Sequence, residues 1–338
     1  MSVIEVQAPG LLTTVQDLGR EGFGPMGVSP SGAADALSLR IGNRLVGNWG
    51  NAGALEMTLL GGTFQFPQGA LVALTGSDFG PTLDEEPVEM WASFEARPGQ
   101  VLRLGPTRSG ARCYLCVRGG ICVKEFLGSA STHLLSGLGG HEGRALRKGD
   151  VLEIGEADAD GAVGYGLEET GGSACSTGGP RAAGPIGKRR LTVKALQQLS
   201  PRKILRVTPG PQNDWFPASA QQVFYASTYR VAEESNRMGL RLAGPPLPEG
   251  AHGEMISEGV SLGAIQIVAG GLPIILFVEQ QTTGGYAKIA NVIAADLRSL
   301  GQLRPRDEIR FERVDWETAR ALLIEQEKLL ESKDLIRE

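Results

Sequence analysis

Histidine is nearly missing from this chain, with three in 338 residues (His133, His141 and His252), all in loop-like contexts and none at metal-ligand spacing with another. That scarcity argues against a histidine-based general base and against a zinc centre. Cysteine is also sparse: Cys113, Cys116, Cys122 and Cys175. The first two have a Cys-x-x-Cys spacing, but Arg112-Cys-Tyr-Leu-Cys-Val117 reads as a strand, in which residues three apart point to opposite faces. With no second pair to complete a tetrahedral set, these thiols are expected to be small buried hydrophobes. No apolar run approaches the roughly 20 residues that span a bilayer, so no membrane association is expected. The opening Met-Ser-Val-Ile-Glu-Val lacks the basic and apolar regions of a secretion signal, which makes the cytoplasm the expected compartment. There is no basic excess either. Net charge is −5, and the one basic cluster, Lys188-Arg189-Arg190, reads as a solvated linker charge, so no nucleic-acid partner is expected.

Several catalytic signatures are absent as well. The Gly-x-Ser-x-Gly at Gly259-Val-Ser-Leu-Gly263 runs into the β-type Ile265-Gln-Ile-Val268 instead of the helix that a nucleophile elbow opens. Gly187-Lys188 ends like a phosphate-binding loop, but Ala182 stands where the first glycine belongs and Arg189 where a serine or threonine would hold magnesium. Gly137-Leu-Gly139-Gly-His-Glu-Gly143 misses the dinucleotide fingerprint by one residue. No Met-Lys-Met is present, so no covalent biotin is expected on this chain.

What the chain has in abundance is turns. It holds 48 glycines and 19 prolines without a collagen-like period. Between them lie short β-type runs such as Thr63-Phe-Gln-Phe66, Leu71-Val-Ala-Leu74, Gln100-Val-Leu-Arg-Leu104, Val151-Leu-Glu-Ile154, Ile265-Gln-Ile-Val268 and Pro273-Ile-Ile-Leu-Phe-Val278, the pattern of a barrel or sandwich. Helical spacing occurs in three places: Ser31 to Leu45, with Ala34, Leu37, Ile41 and Leu45 on one face; a weaker stretch from Val193 to Leu199; and the segment from Trp316 onward. Gly61–Leu74 is echoed by Leu262–Ile275, and Arg97–Leu104 by Arg304–Phe311, at nearly equal offsets. The expected organisation is therefore mostly β: a first β domain over 1–155, a Gly/Ala/Ser-rich linker over 156–200, a related β domain over 201–315 and a C-terminal helix over 316–338.

Polar residues set in glycine-rich turns are the candidate functional groups. Gln280-Gln-Thr-Thr-Gly-Gly-Tyr286 follows directly on an apolar strand, with Lys288 just beyond. A rigid strand end can aim its hydroxyls and amides at a ligand, although the same pattern fits a plain polar hairpin turn. Ser235-Asn-Arg-Met-Gly239 places Arg237 in a short turn suited to carboxylate or phosphate binding, or to a surface salt bridge. Asp17 and Arg20, Asp35 after Ser31, and the run Gly128-Ser-Ala-Ser-Thr132 complete the set. Asp35 also falls where helix-dipole stabilisation alone would explain it.

Eight segments in order carry a family resemblance: Pro9–Arg20, Ser31-Gly-Ala-Ala-Asp35, Asn43–Asn48, Leu55-Glu-Met-Thr58, Leu127–Thr132, Ser235–Gly239, Gly263-Ala-Ile-Gln266 and Gln281–Tyr286. Together they resemble the family of the bacterial 5-oxoprolinase C-type subunits, also described as allophanate hydrolase subunit 2-like or carboxyltransferase-like. The resemblance implies two cyclophilin-like β-barrel domains, few short helices, and work in a complex with a B-type subunit (allophanate hydrolase subunit 1-like) and an A-type subunit. Such a complex cleaves the lactam 5-oxo-L-proline to L-glutamate using ATP. It also implies alternatives: the carboxyltransferase component of a urea carboxylase, with biotin borne by another protein, or a non-catalytic partner of a kinase-inhibitor-like protein. Under the first reading Arg237, Thr282, Thr283 and Lys288 bind the anionic parts of an activated substrate, and Asp17 or Asp35 orients the attacking water. Arg20, Ser31, Asn43, Ser129, Ser131, Gln266, Gln281, Gly284, Gly285 and Tyr286 are the implied substrate contacts. The chain departs from the family pattern at Ala34, across Val268–Gly271, at Ala287 and at Arg306.

Overall fold

The computed structural model describes residues 2–156, 187–248 and 255–338. Most of the expected linker, together with Cys175 and His252, lies outside them. Two compact units result. One comprises Met1–Arg20, Ser31–Leu199 and Ser332–Glu338, and the other Glu21–Pro30 and Ser200–Glu331. The chain thus lends residues 21–30 to the second unit and returns to the first at its end, neither of which composition signals.

In the first unit two antiparallel sheets share one core. A seven-stranded sheet carries Ser2–Ala8 between Val151–Ile154 and Thr63–Gln65, and a five-stranded sheet runs Leu12–Gln16, Ala54–Thr58, Arg112–Val117, Ala70–Gly76, Ser93–Ala96. Ile4, Val6, Phe64 and Leu102 of the first sheet pack with Val15, Leu55, Met57, Leu74 and Leu115 of the other. Arg112–Val117 is buried on both faces because alternate residues serve different neighbours. Cys113, Leu115 and Val117 enter the inter-sheet core. Tyr114 and Cys116 face the helix Ala36–Leu45, with Cys116 Sγ 3.8 Å from the Leu39 carbonyl oxygen. The two cysteines are therefore opposed and buried, as expected, and burial pushes both thiols up and out of reactivity. Gly42 permits this close helix–sheet approach: a Cβ there would lie 2.6 Å from Cys116 Sγ.

Part of the stretch expected as linker is built into this unit. Arg190–Leu191 pairs with Ile336–Arg337, Ser93 donates its N–H to the Arg189 carbonyl at 2.7 Å, and Thr192 caps the short helix Val193–Gln198. The expected 316–338 helix accordingly runs Trp316–Glu331 and then gives way to this returning strand.

The second unit is a closed barrel. Its order is Ile204–Pro209, Lys288–Val292, Ala264–Ile267, Pro273–Leu276, Gly239–Ala243, Tyr229–Val231, Glu308–Arg313, closed by parallel pairing of the last with the first. Glu308–Arg313 alternates as a half-buried strand should, Ile309 and Phe311 inward and Glu308 and Arg310 outward. Phe311 stacks on Phe224 of the helix Ala218–Ala226 at 4.5 Å between ring centroids. The echoed segments do not share partners: Thr63–Gln65 pairs with Val101–Arg103, whereas Ala264–Ile267 pairs with Pro273–Leu276 and Lys288–Val292. The echo marks similar turn-then-strand pieces set in different ladders. No helix among the described residues is long and apolar enough to cross a membrane.

Candidate functional site

Two groups of polar residues match the sequence expectations, one in each unit. In the second unit the segment after Pro273–Leu276 keeps to the barrel for three more residues. Phe277 donates its N–H to the Met238 carbonyl at 3.0 Å, and Glu279 to that of Arg237 at 2.8 Å. The chain then turns, with the Gln280 N–H bonded to the Phe277 carbonyl, and rises into a ribbon in which Thr283–Gly284 pairs with Glu258–Gly259. It re-enters the barrel at Lys288. A bulge at this point pairs Ile265 with Ala290 but Gln266 with Lys288, leaving Ile289 as the extra residue. Gln281, Thr283, Gly285 and Tyr286 are exposed along the ribbon, while Thr282 is half-buried and Gly284 buried.

Beneath the ribbon lie two ion pairs. Arg237 and Glu279, both buried, are joined through Arg237 Nε and Glu279 Oε1. Such a pair needs close geometry to offset its lost hydration, and removing either partner strands the other. Lys288 is also buried. Its Nζ lies 2.6 Å from Glu258 Oε1 and 3.5 Å from the Tyr286 carbonyl. Gln212 joins them, its Nε2 donating to Glu258 Oε1 at 2.9 Å and its Oε1 accepting the Lys288 N–H at 3.1 Å. The Lys288 ammonium, then the Gln212 amide, hold the Glu258 carboxyl below the usual range. Arg237 thus stiffens the strand end from which the ribbon springs, instead of standing free as an anion clamp. Gln266 Nε2 and Gln280 Oε1 are two of four buried side-chain amide atoms that carry no hydrogen bond among the described residues, the others being Gln16 Oε1 and Asn291 Oδ1.

The polar residues of the first unit have other duties. Asp17 accepts from the Gly19 N–H and from both serine hydroxyls, Ser129 and Ser131, on one oxygen, and from the Ala130 N–H on the other. Arg20 donates to the Phe126 carbonyl at 3.2 Å and to that of Ser131, with its guanidinium 5.4 Å from the Phe126 ring centroid. The Ser31 hydroxyl donates to the Thr132 carbonyl at 2.9 Å. Asp35 caps the helix Ala36–Leu45 through the Ser38 N–H and hydroxyl. Asn43 donates to the Ala52 carbonyl at 2.8 Å and accepts from Asn48. Asp17 and Asp35 are buried, and their oxygens are spent on loop and helix donors, which removes the physical basis for either as a water-orienting base.

Sequence reasoning brought Gln281, Thr282, Thr283, Gly284, Gly285 and Tyr286 to one ribbon with Lys288 at its return to the barrel, placed Gln266 apart on the strand Ala264–Ile267, and missed their supports. Glu279 abuts the Gln280–Tyr286 run and was findable from it. Gln212 and Glu258 carry no local signal and reach Lys288 only through the barrel's closure. Among the described residues no group of three or more His, Cys, Asp and Glu side chains is placed to hold a metal ion.

With that geometry in place, comparison with known proteins is direct. The family model described as carboxyltransferase domain, subdomain A and B, matches residues 26–313. The protein named as the C subunit of 5-oxoprolinase in Escherichia coli (strain K12) is 36% identical over 329 residues, 97% of this chain and 97% of its own length. Its namesake in Haemophilus influenzae is 35% identical over 309 residues, 91% and 90% of the two lengths. The crystal structure of the K. lactis urea amidolyase matches with a TM-score of 0.82 at 32% identity, over 99% of this chain but 21% of that one.

Proposed function

This chain belongs to the carboxyltransferase domain, subdomain A and B, family, and we propose that within it the chain is the C-type subunit of an ATP-dependent 5-oxoprolinase, active with A-type and B-type partner subunits in the cytoplasm. The observation that carries the reading is end-to-end correspondence with the Escherichia coli protein of that name, 97% of both chains at 36% identity. The urea amidolyase likeness, with a TM-score of 0.82, concerns a fifth of a much longer chain.

A lactam resists hydrolysis because its amide resonance must be broken first. ATP supplies the activation, and we assign its use to the complex. Gly187-Lys188 is the nearest thing here to a phosphate loop, and it runs into the strand Arg190–Leu191 instead of opening a helix. No step is therefore routed through ATP on this chain. Its own contribution is the ribbon. The Thr282 and Thr283 hydroxyls and the Gly284–Gly285 backbone meet the substrate, and Lys288 sets positive charge under them. Arg237 acts as a positioning residue through Glu279.

The test is reconstitution. Co-purified with its two partners, the chain should release glutamate from 5-oxoproline only when ATP is present. Thr282→Ala combined with Thr283→Ala should lower that rate by at least roughly tenfold while the chain still co-purifies. An inactive reconstituted complex that instead transfers a carboxyl group from partner-borne biotin to urea would overturn the reading in favour of the urea carboxylase alternative.

A further inference from the structure

With Asp17 and Asp35 spent on loop and helix donors, the carboxylate that stands at the ribbon is Glu258. It pairs across the ribbon with Gly284, one position from the exposed Thr283. Its ion pair with Lys288 is asymmetric, the lysine side chain being 4% exposed and the glutamate 45%. The bonding of the carboxylate is asymmetric too. Oε1 takes both donors, Lys288 Nζ at 2.6 Å and Gln212 Nε2 at 2.9 Å, whereas Oε2 has no partner among the described residues. Gln212 is itself held, since its Oε1 accepts the Lys288 N–H. The Lys288 ammonium, then the Gln212 amide, keep the carboxyl ionised at neutral pH and fix it by one oxygen, leaving the other for a ligand. An ordinary surface ion pair has two mobile partners and adds little. Here one partner is sealed in, and the exposed anion is held ready for a hydrogen-bond donor or a cation.

We propose that Glu258 is a catalytic residue whose Oε2 accepts the N–H of the lactam and stabilises that nitrogen as it becomes an ammonium group. The proposal rests on the function proposed above. In the overall reaction water adds its oxygen to the ring carbonyl carbon, and the ring C–N bond breaks with its electron pair going to nitrogen. Both water protons end on that nitrogen, so the N–H becomes –NH3+ and the carbonyl carbon a carboxylate, while the complex hydrolyses ATP alongside. Glu258 thus meets a neutral donor in the substrate and a full positive charge once the bond is broken. An interaction that strengthens along the bond cleavage raises the rate, whereas one equal throughout would only tighten binding. Lys288 and Gln212 position the carboxylate for this step through Oε1.

The experiment follows the Glu258 side-chain 13C carboxyl signal of the full chain at neutral pH, assigned by its loss in both Glu258→Gln and Glu258→Asp. Titration with 5-oxo-L-proline should move it and L-glutamate should move it further, while glutarate, which has no nitrogen, should leave it in place. In the reconstituted complex Glu258→Gln should lower kcat for glutamate release by roughly tenfold to a hundredfold, with KM changed less than about threefold. Glu258→Asp keeps a charge for Lys288 but withdraws it by one methylene. It should unfold close to the wild-type temperature and still lose most of kcat, which separates catalysis from folding. A signal unmoved by L-glutamate, an equal response to glutarate, full kcat in Glu258→Gln, or a rise in KM alone would each overturn the assignment. A wild-type complex that releases no glutamate would instead defeat the 5-oxoprolinase reading, and the response of the carboxyl signal to L-glutamate would still decide whether Glu258 binds a ligand nitrogen.

Discussion

The Asp17 network of the first unit and the Gln280–Lys288 ribbon of the barrel are alike in sequence and differ in structure. Both collect hydroxyls, amides and charges in glycine-rich turns. In the network, the Asp17 carboxylate takes four donors from Gly19, Ser129, Ala130 and Ser131. In the ribbon, hydroxyls stand at the surface and Gln266 Nε2 stays unspent beneath them. Polar density alone therefore does not mark a site. What distinguishes the ribbon is exposed hydroxyls above ion pairs, since buried amide atoms without a hydrogen bond occur in both regions, Gln16 Oε1 beside Asp17 and Gln266 Nε2 beneath the ribbon.

Substitutions can break this contrast. The largest effect is expected at Asp17. Asp17→Ala leaves two serine hydroxyls and two backbone N–H groups without their acceptor, and should cost about 3 kcal/mol or more of stability, read as a lower denaturant midpoint. A near-neutral result would show that these donors find other acceptors when Asp17 is removed. Next comes the base of the ribbon. Arg237→Met or Glu279→Met alone should each cost about 3–5 kcal/mol, whereas the double variant should recover much of that, because no buried charge is then stranded. Additive losses would show that the two side chains do not act as a pair. By contrast, Thr283→Ala should change stability by less than about 0.5 kcal/mol, as for exposed positions generally, and be seen only in turnover.

Acid probes an ion pair of the first unit. The bidentate Arg144 guanidinium, at 2.8 and 3.0 Å, holds Asp150 at a pKa of about 2, helped by the Arg147 N–H. A carboxylate depressed in the folded state adds stability above its unfolded pKa, near 3.8, and loses it as pH falls toward about 2. Thermal unfolding of Arg144→Met should therefore be less sensitive than wild type to lowering the pH from 4 to 2.5. Equal sensitivity would remove Asp150 from the acid response.

Much of this was legible beforehand. Short apolar runs between glycines and prolines became strands, Ser31–Leu45 yielded a helix over Ala36–Leu45, and Cys113 and Cys116 face opposite ways, because each depends on local spacing. The ribbon was legible because its groups are contiguous. The duties of Asp17 were not, since its serine donors arrive from 112 and 114 residues away. Closure of the barrel and the pairing of the echoed segments also depend on distant partners. Asp35 could have been read as a cap from Ser38 three residues on, and its burial decides for that reading.

The pairing of Arg190–Leu191 with Ile336–Arg337 has a consequence for biosynthesis. Arg44 donates to the Ser332 carbonyl and Thr192 to that of Leu335, whose side chain is fully buried. On a ribosome the first unit is synthesised early but cannot be sealed until residues 332–338 have followed the barrel out. Its nascent form must wait with one edge open, and truncation ahead of Ser332 would leave it so permanently.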